Sequence, residues 1–486
     1  MKQEKLQLLR QADLPYTEIL EVTYEDGGSY LHMSELPPFT RVLWKNSFGE
    51  GSEIYTELWL PDDWDGLFIA CGNGGMAGSI FRDVLVPHIR SRHAAVHTDM
   101  GTSRGRLHGV NNPACWADFG WRSTHMMAET GKALTELFYG QKIVYSYFIG
   151  ASTGGNQAMA MVQKFPEDYD GVLAGVPAHN RIYLHTYALW SFLHLHRPDG
   201  SVMFADEEIP KITAAAVKFF NRCCGEIPFG GQPDDGFVSL PYCGEDTVER
   251  FVAFLAEEEP QFTKEQLDVL RILYEGPRNP VTGRKIYCGS PIGAESYWCG
   301  SRDNQGAEPP FFDPFVWVFG EGYTGLDFDF DADLETLTAC LAADMNANSA
   351  DLSAFAAHGG KLIVYSGAGD PCVPFWDTVK YCERVQKLQG GYEAASQFYR
   401  WFLMPGMDHG NGGCGVNTIW GRDEHDRDLF DSLRRWREEG IAPEYLTGAR
   451  VEDGETVFAR RVYPYGSERF PLFGGLPACD DYYLEK

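Results

Sequence analysis

The chain has 486 residues, of which 44% are hydrophobic and 23% charged, the proportions of a globular protein large enough for a main domain with an insertion. Its formal charge of -28 repels nucleic acid and anionic membrane surfaces, so neither is expected as a partner. No apolar run of about 18 residues or more occurs, which argues against a membrane span. The opening Met1-Lys2-Gln3-Glu4-Lys5 lacks the apolar segment of a signal peptide. A cytoplasmic location is expected, with a secreted, processed form as the alternative. The twelve cysteines contain no C-x-x-C pair and are read as mostly free, buried thiols, not a zinc site or a disulfide scaffold.

Along the chain, two blocks of alternating strands and helices flank a different middle. In the first block, residues 56–60 and 67–71 read as strands, the second ending at the Gly-rich stretch 72–78. Residues 143–149 form a β-rich run that stops at Gly150, a helix is expected over 155–165 before Pro166, and 172–176 reads as a short buried strand. The middle shows helical patterns at 207–220, 246–257 and 264–274, then a part rich in Gly, Pro and aromatics. In the second block, strands are expected at 361–366 and 398–404 and helices at 378–389 and 428–439. The alternation predicts an α/β fold with a mostly parallel sheet. Residues 1–200 and 351–486 are read as its discontinuous core, and 201–350 as an inserted lid at the ligand-binding ends of the strands.

Gly150-Ala151-Ser152-Thr153-Gly154 matches G-x-S-x-G. Between a strand and a helix, this pattern forces a turn too tight for side chains at its ends and exposes the serine hydroxyl at the head of the helix. A Gly-rich loop alone could give the same letters; the β run before it and the helical run after it favour the nucleophile. A serine needs a base, and the base an orienting acid, which in α/β-hydrolases follow in the order serine, acid, histidine. Asp370 lies in the turn after the 361–366 strand and His409 in the turn after the 398–404 strand, where strand ends deliver catalytic groups. Asp377 and Asp408 compete for the acid role, although Asp408 adjoins His409 and is poorly placed to reach its ring. His179, His185, His194 and His196 are structural or cleft-lining candidates, and His194-Leu195-His196 suggests a metal pair without a visible third ligand. For an oxyanion, the N–H of Thr153 supplies one donor, and Gly74 and Gly75 in Gly72-Asn73-Gly74-Gly75 supply the other. A phosphate loop is excluded there because no Gly-Lys-Ser/Thr follows.

The sequence resembles the tannase and feruloyl esterase family of α/β-hydrolases over about residues 40–470. The resemblance is carried by Tyr147-Phe148-Ile149-Gly150-Ala151-Ser152-Thr153-Gly154-Gly155, Phe165-Pro166-Glu167-Asp168-Tyr169-Asp170-Gly171, Ala174-Gly175-Val176-Pro177-Ala178, Thr98-Asp99-Met100-Gly101 and Tyr287-Cys288-Gly289-Ser290-Pro291. It implies a triad of Ser152, Asp370 and His409 and a phenolic-acid ester as the small-molecule substrate, feruloyl-type slightly ahead of galloyl-type. Hydrolysis through an acyl-enzyme is expected, with no cofactor needed for catalysis. An acyltransferase using the same triad and a non-catalytic binding protein are the alternatives. The sequence assigns no oligomeric state.

Two departures from the family stand out. Relatives carry one cysteine before the serine and one after the histidine, joined as a disulfide; here Ala151 and Gly410 occupy those positions. The family's acidic calcium loop also matches Gly230-Gly231-Gln232-Pro233-Asp234-Asp235-Gly236. Asp234 and Asp235 are its only obvious carboxylates, with Glu226 and backbone carbonyls as further donors, whereas calcium takes roughly six to eight oxygens.

Overall fold

The computed structural model describes residues 2–223, 235–298, 308–410, 413–422 and 428–470. The chain divides into two compact units. The first comprises Met1–His179, Asp313–Tyr323 and Cys340–Leu362, and the second Asn180–Phe312, Thr324–Ala339 and Ile363–Lys486.

The first unit contains β1 (Thr17–Glu25), β2 (Gly28–Tyr30), β3 (Met33–Leu36), β4 (Phe39–Asn46), β5 (Ile54–Pro61), β6 (Leu67–Cys71), β7 (Ala94–Thr98), β8 (Tyr145–Ala151) and β9 (Gly171–Gly175). Strands β2 and β3 form a small hairpin, and the others run in the order β1-β4-β5-β7-β6-β8-β9. The expected α/β architecture is present. Its parallel part is β7-β6-β8-β9, with registers such as Ile69↔Tyr147 and Ile149↔Leu173. The β1-β4-β5-β7 side is antiparallel. The connection between β4 and β5, residues 47–53, is too short for the crossover that a parallel pair requires. Helices Ser123–Tyr139 and Thr153–Lys164 supply the long returns into β8 and β9.

Every residue of β6, β7 and β9 is buried. A parallel strand covered on both faces needs a continuous apolar run, and Leu67-Phe68-Ile69-Ala70-Cys71 is one. Strand β7 carries His97 and Thr98 inside, and β1 is largely solvated, so neither offers that signal.

In the second unit, helices Arg181–Leu195, Ile209–Cys223, Thr247–Glu258 and Lys264–Glu275 share a core that includes Ile212, Phe219, Phe251, Leu255 and Leu270. The last helix opens on a capping box, with Thr263 and Gln266 each satisfying the other's backbone N–H. Strands β10 (Lys361–Gly367, in this unit from Ile363 on) and β11 (Tyr399–Met404) are neighbours in a sheet. A separate antiparallel sheet joins β12 (Thr418–Trp420), β13 (Leu446–Glu452) and β14 (Glu455–Val462). No helix of the described residues is long and apolar enough to cross a membrane.

Seven cysteines among the described residues are not in disulfides: Cys71, Cys115, Cys243, Cys288, Cys340, Cys382 and Cys414. Cys372 is disulfide-bonded. The Cys224 thiol and the Cys223 side chain lie outside the described residues.

Candidate active site

Strand β8 ends at Ala151, and the next residue breaks the strand sharply. Ser152 has φ 61° and ψ -116°, and Thr153 opens the helix Thr153–Lys164. An L-residue in that region costs about 1–3 kcal/mol and persists only where its surroundings impose it. Here backbone packing imposes it. A Cβ on Gly150 would stand 2.6 Å from the backbone of Gly154, and one on Gly72 would stand 2.6 Å from the Gly154 Cα. One on Gly155 would stand 2.5 Å from the Gly175 carbonyl. The ends of β6, β8 and β9 therefore approach the helix start more closely than any larger residue permits. Hydrogen bonds complete the hold. Ser152 N–H donates to the Gly175 carbonyl at 2.9 Å, and the Ser152 carbonyl accepts from Asn156 and Ala178 at 3.0 and 3.2 Å.

The Gly-rich loop after β6 is tied to the same turn. Gly154 N–H donates to the Asn73 carbonyl at 2.7 Å, and Asn73 N–H donates to Gln157 Oε1 at 2.8 Å. Thr153 Oγ1 donates to the Gly75 carbonyl at 2.5 Å. Gly75 adopts φ 56°, and a Cβ on Gly74 or Gly75 would meet nothing within 4 Å. Packing alone leaves room for side chains there, in contrast to Gly72. The glycines keep the backbone open to whatever occupies the space in front of it. The structure thus brings together Ser152, Thr153 and the Gly74–Gly75 loop.

In the second unit, Asp370 follows β10 and His409 follows β11. Asp370 is fully buried. Its Oδ2 lies 2.8 Å from His409 Nδ1, and its Oδ1 accepts the N–H groups of Cys372 at 2.8 Å and Val373 at 3.0 Å. An ionised carboxylate accepts, so Nδ1 carries the proton and Nε2 keeps its lone pair. The two turns also join through backbone: Ala368 N–H donates to the Met404 carbonyl at 3.0 Å and Gly369 N–H to the Met407 carbonyl at 2.9 Å. Burial draws the His409 imidazolium down, but the Asp370 charge and hydrogen bond, with the Asp408 charge, outweigh it and leave His409 above its ordinary value.

Asp377 is buried at the start of the helix Trp376–Gln389 and accepts from Asn180 Nδ2 at 3.3 Å. Burial pushes its carboxyl up to about 7. Asp408 neighbours His409 and acts on it through its charge. His185, His194 and His196 pair through Nδ1 with the carbonyls of Phe311, Trp190 and Phe192 at 2.6, 2.8 and 2.9 Å. The last two rings bond back to carbonyls of the helix Arg181–Leu195, His194 from its last turn and His196 from just beyond its end. His179 is buried in the first unit, its carbonyl accepting from Ala347 N–H.

Metal ligands fare no better at the expected positions. Both oxygens of Asp235 accept from the Arg460 guanidinium at 2.5 and 2.6 Å, a bidentate pair that already neutralises this carboxylate. Asp234 and Glu226 lie outside the described residues. Among the described residues, one group of potential ligands converges: Asp370, Cys372 and His409, with ligand atoms all within 4.8 Å of one another. It is the acid–base pair joined by a sulfur that is committed to a disulfide. The second unit also holds a cavity of about 290 Å³ lined by Tyr242, Tyr274, Lys285 and Trp376 among others; Asp370 and His409 do not line it.

Sequence reasoning passed over Asn73, Gln157 and Cys372. Asn73 and Gln157 lie within or beside quoted motifs, but ordinary polar residues announce no role until the fold pairs them. Cys372, two residues beyond Asp370, was readable as a cysteine in the acid turn.

A parallel sheet with a strained serine between strand and helix, and a histidine on a buried aspartate further along the chain, defines an α/β-hydrolase. The chain belongs to the tannase and feruloyl esterase family, whose model matches residues 41–473, and it is an enzyme of the carboxylic ester hydrolase class. It is 28% identical to a probable feruloyl esterase B-1 of Neosartorya fischeri over 94% of this chain and 90% of that one. The crystal structure of feruloyl esterase B from Aspergillus oryzae matches with a TM-score of 0.80 and 24% identity, covering 95% of this chain and 96% of that one. A tannin acyl hydrolase from Aspergillus niger matches with a TM-score of 0.74 and 18% identity, over 94% and 91% of the two chains.

The cytoplasmic location expected from the N-terminal residues does not hold. The relatives include fungal feruloyl esterases, and Cys372 is disulfide-bonded, a bond that reducing compartments disfavour. The missing cysteine pair reports on one tether and not on the redox state around the chain.

Proposed function

We propose that Ser152, Asp370 and His409 act as one triad that hydrolyses phenolic-acid esters through an acyl-enzyme. The reading rests above all on Ser152, a non-glycine residue held at φ 61° at the head of a helix. His409 Nε2 takes the Ser152 proton as Oγ attacks the ester carbonyl. The N–H of Thr153 and a donor from Gly74 or Gly75 receive the oxyanion. His409 then returns the proton to the leaving alcohol, and water repeats the sequence to release the acid. Asp370 holds the tautomer and stabilises the imidazolium. No step uses a cofactor. Residues 201–350 serve in this reading as the lid that selects the acyl group.

Hydroxycinnamoyl esters are placed ahead of galloyl esters because relatives named as feruloyl esterases match at 27–29% identity over most of the chain. Kinetics on methyl ferulate, methyl caffeate and methyl gallate test both parts. Higher kcat/KM on the first two is expected, and a preference for gallate overturns the ranking. Undiminished turnover in Ser152→Ala overturns the triad.

A further inference from the structure

We propose that Asn73 is a positioning residue for the oxyanion donors: its side-chain amide clamps the Gly-rich loop 72–78 to the end of β7 and so fixes Gly74 and Gly75 beside Thr153. The inference rests on the reading of Thr153 and of Gly74 or Gly75 as those donors.

The physical need is local. Oxyanion donors work only when held about 2.7–3.1 Å from the developing charge. Side-chain packing cannot hold Gly74 or Gly75, because a Cβ on either would meet nothing within 4 Å. Order in this stretch must come from its hydrogen bonds, and Asn73 makes three. Its N–H donates to Gln157 Oε1 at 2.8 Å, its carbonyl accepts from Gly154 N–H at 2.7 Å, and its Nδ2 donates to the Thr98 carbonyl at 2.8 Å. The first two are main-chain bonds that nearly any residue could make. Only the third needs this side chain. Gln157 is itself held, its Nε2 donating to Thr124 Oγ1 at 2.9 Å.

Thr98 is the last residue of β7 and lies in register with Thr56 of β5, so the amide is anchored on the sheet. The turn that follows holds the far end of the loop. The Asp99 carbonyl accepts from Gly78 N–H at 3.1 Å, and Thr102 Oγ1 donates to the Met76 carbonyl at 2.9 Å. The buried Asp99 carboxylate stiffens that turn, its Oδ1 accepting Tyr55 N–H at 2.9 Å and Gly101 N–H at 2.8 Å. Thr98-Asp99-Met100-Gly101 is thus the frame on which the loop is stretched, and Asn73 is the attachment that directly precedes the two glycines. Asn73 is buried, and its Oδ1 has no hydrogen-bond partner among the described residues. A buried acceptor left unpaired costs stability. The amide is poor packing material at this position, and its Nδ2 bond is what it contributes.

The test compares the parent enzyme with Asn73→Leu, which keeps the branched shape without the amide, and with Asn73→Ala. In both variants kcat on methyl ferulate is expected to fall about 10- to 100-fold, with KM within about twofold. Phenylboronic acid supplies a second measure. Ser152 Oγ bonds to its boron, the serine proton passes to the base, and the tetrahedral boronate places an oxygen where the oxyanion forms. Its inhibition constant should rise about as far as kcat falls. Hydrogen exchange read by mass spectrometry should quicken in peptides covering 72–78 and stay native elsewhere. Unchanged kcat in both variants overturns the proposal. So does a loss of kcat that accompanies faster exchange throughout the chain, or a loss confined to KM with the boronate bound as before. Hydrogen exchange needs no turnover. A parent enzyme without esterase activity whose loop exchanges faster in the variants therefore overturns the functional reading and leaves the hold by Asn73 standing.

Discussion

The turn that carries Ser152 and the turn that carries Asp370 are built on different principles. The serine turn is held by what is absent: Gly72, Gly150, Gly154 and Gly155 let backbones approach to distances at which a Cβ would meet neighbouring atoms at 2.5–3.1 Å. The acid turn is held by charge and hydrogen bonds around a fully buried carboxylate. Steric geometry is indifferent to pH and intolerant of a methyl group. Electrostatic geometry tolerates changes of volume and depends on one proton. Each turn is therefore vulnerable to a perturbation that the other should survive.

The largest effect separating them is expected from Asp370→Asn. The amide keeps the volume but disfavours the tautomer with the proton on Nδ1, and kcat should fall by roughly 10⁴-fold. The same variant tests the sign of the pH dependence. His409 must be neutral to act as base, and its raised value places the acid limb of kcat/KM above the ordinary 6.5. Below that limb the imidazolium–carboxylate pair is intact and contributes stability, which is lost as pH rises through the raised value. In Asp370→Asn the limb of the residual activity should move to lower pH; an unmoved limb separates Asp370 from the titration of His409.

Next in size is Gly150→Ala, aimed at the steric turn. The added methyl meets the Gly154 backbone at 2.6 Å, and backbone gives way poorly. A loss of about 1–3 kcal/mol or more in denaturant unfolding is expected, with the pH profile of the folded fraction unchanged. Native stability in Gly150→Ala contradicts the packing account.

Asp377 sharpens the electrostatic side. Its carboxyl is pushed up to about 7 by burial, so folding favours its neutral form. A raised carboxylate destabilises progressively as pH rises from the unfolded value towards 7. Asp377→Asn should therefore raise the free energy of unfolding at pH 8 by no more than a few kcal/mol and leave it nearly unchanged at pH 4. A variant less stable at pH 8 than the parent reverses that assignment.

The smallest effect belongs to Thr153→Val, which removes the bond to the Gly75 carbonyl and keeps the backbone N–H. A single hydrogen bond of about 1 kcal/mol corresponds to a roughly fivefold loss, expected in kcat rather than KM.

Local rules made much of this legible. The G-x-S-x-G pattern between an apolar strand and a helix located the serine turn, because steric necessity writes itself as glycine. Asp370 and His409 were reachable through chain order and strand ends, although Asp377 stood as a rival until the fold placed it on Asn180. Strand β7 was not legible because its buried polar residues break the apolar run, and β12–β14 form a small sheet of mixed burial, β14 being mostly exposed. Asp235 read as a metal ligand because its partner Arg460 lies 225 residues away. Cys372 read as one thiol among twelve because pairing of sulfurs is a property of the folded chain.

The central claim is that Ser152 is an activated nucleophile, and a fluorophosphonate probe with intact-protein mass spectrometry tests it most directly. One equivalent of label on Ser152, lost in Ser152→Ala together with turnover of methyl ferulate, is the predicted result. An unlabelled Ser152 in protein that still hydrolyses the ester would contradict the account.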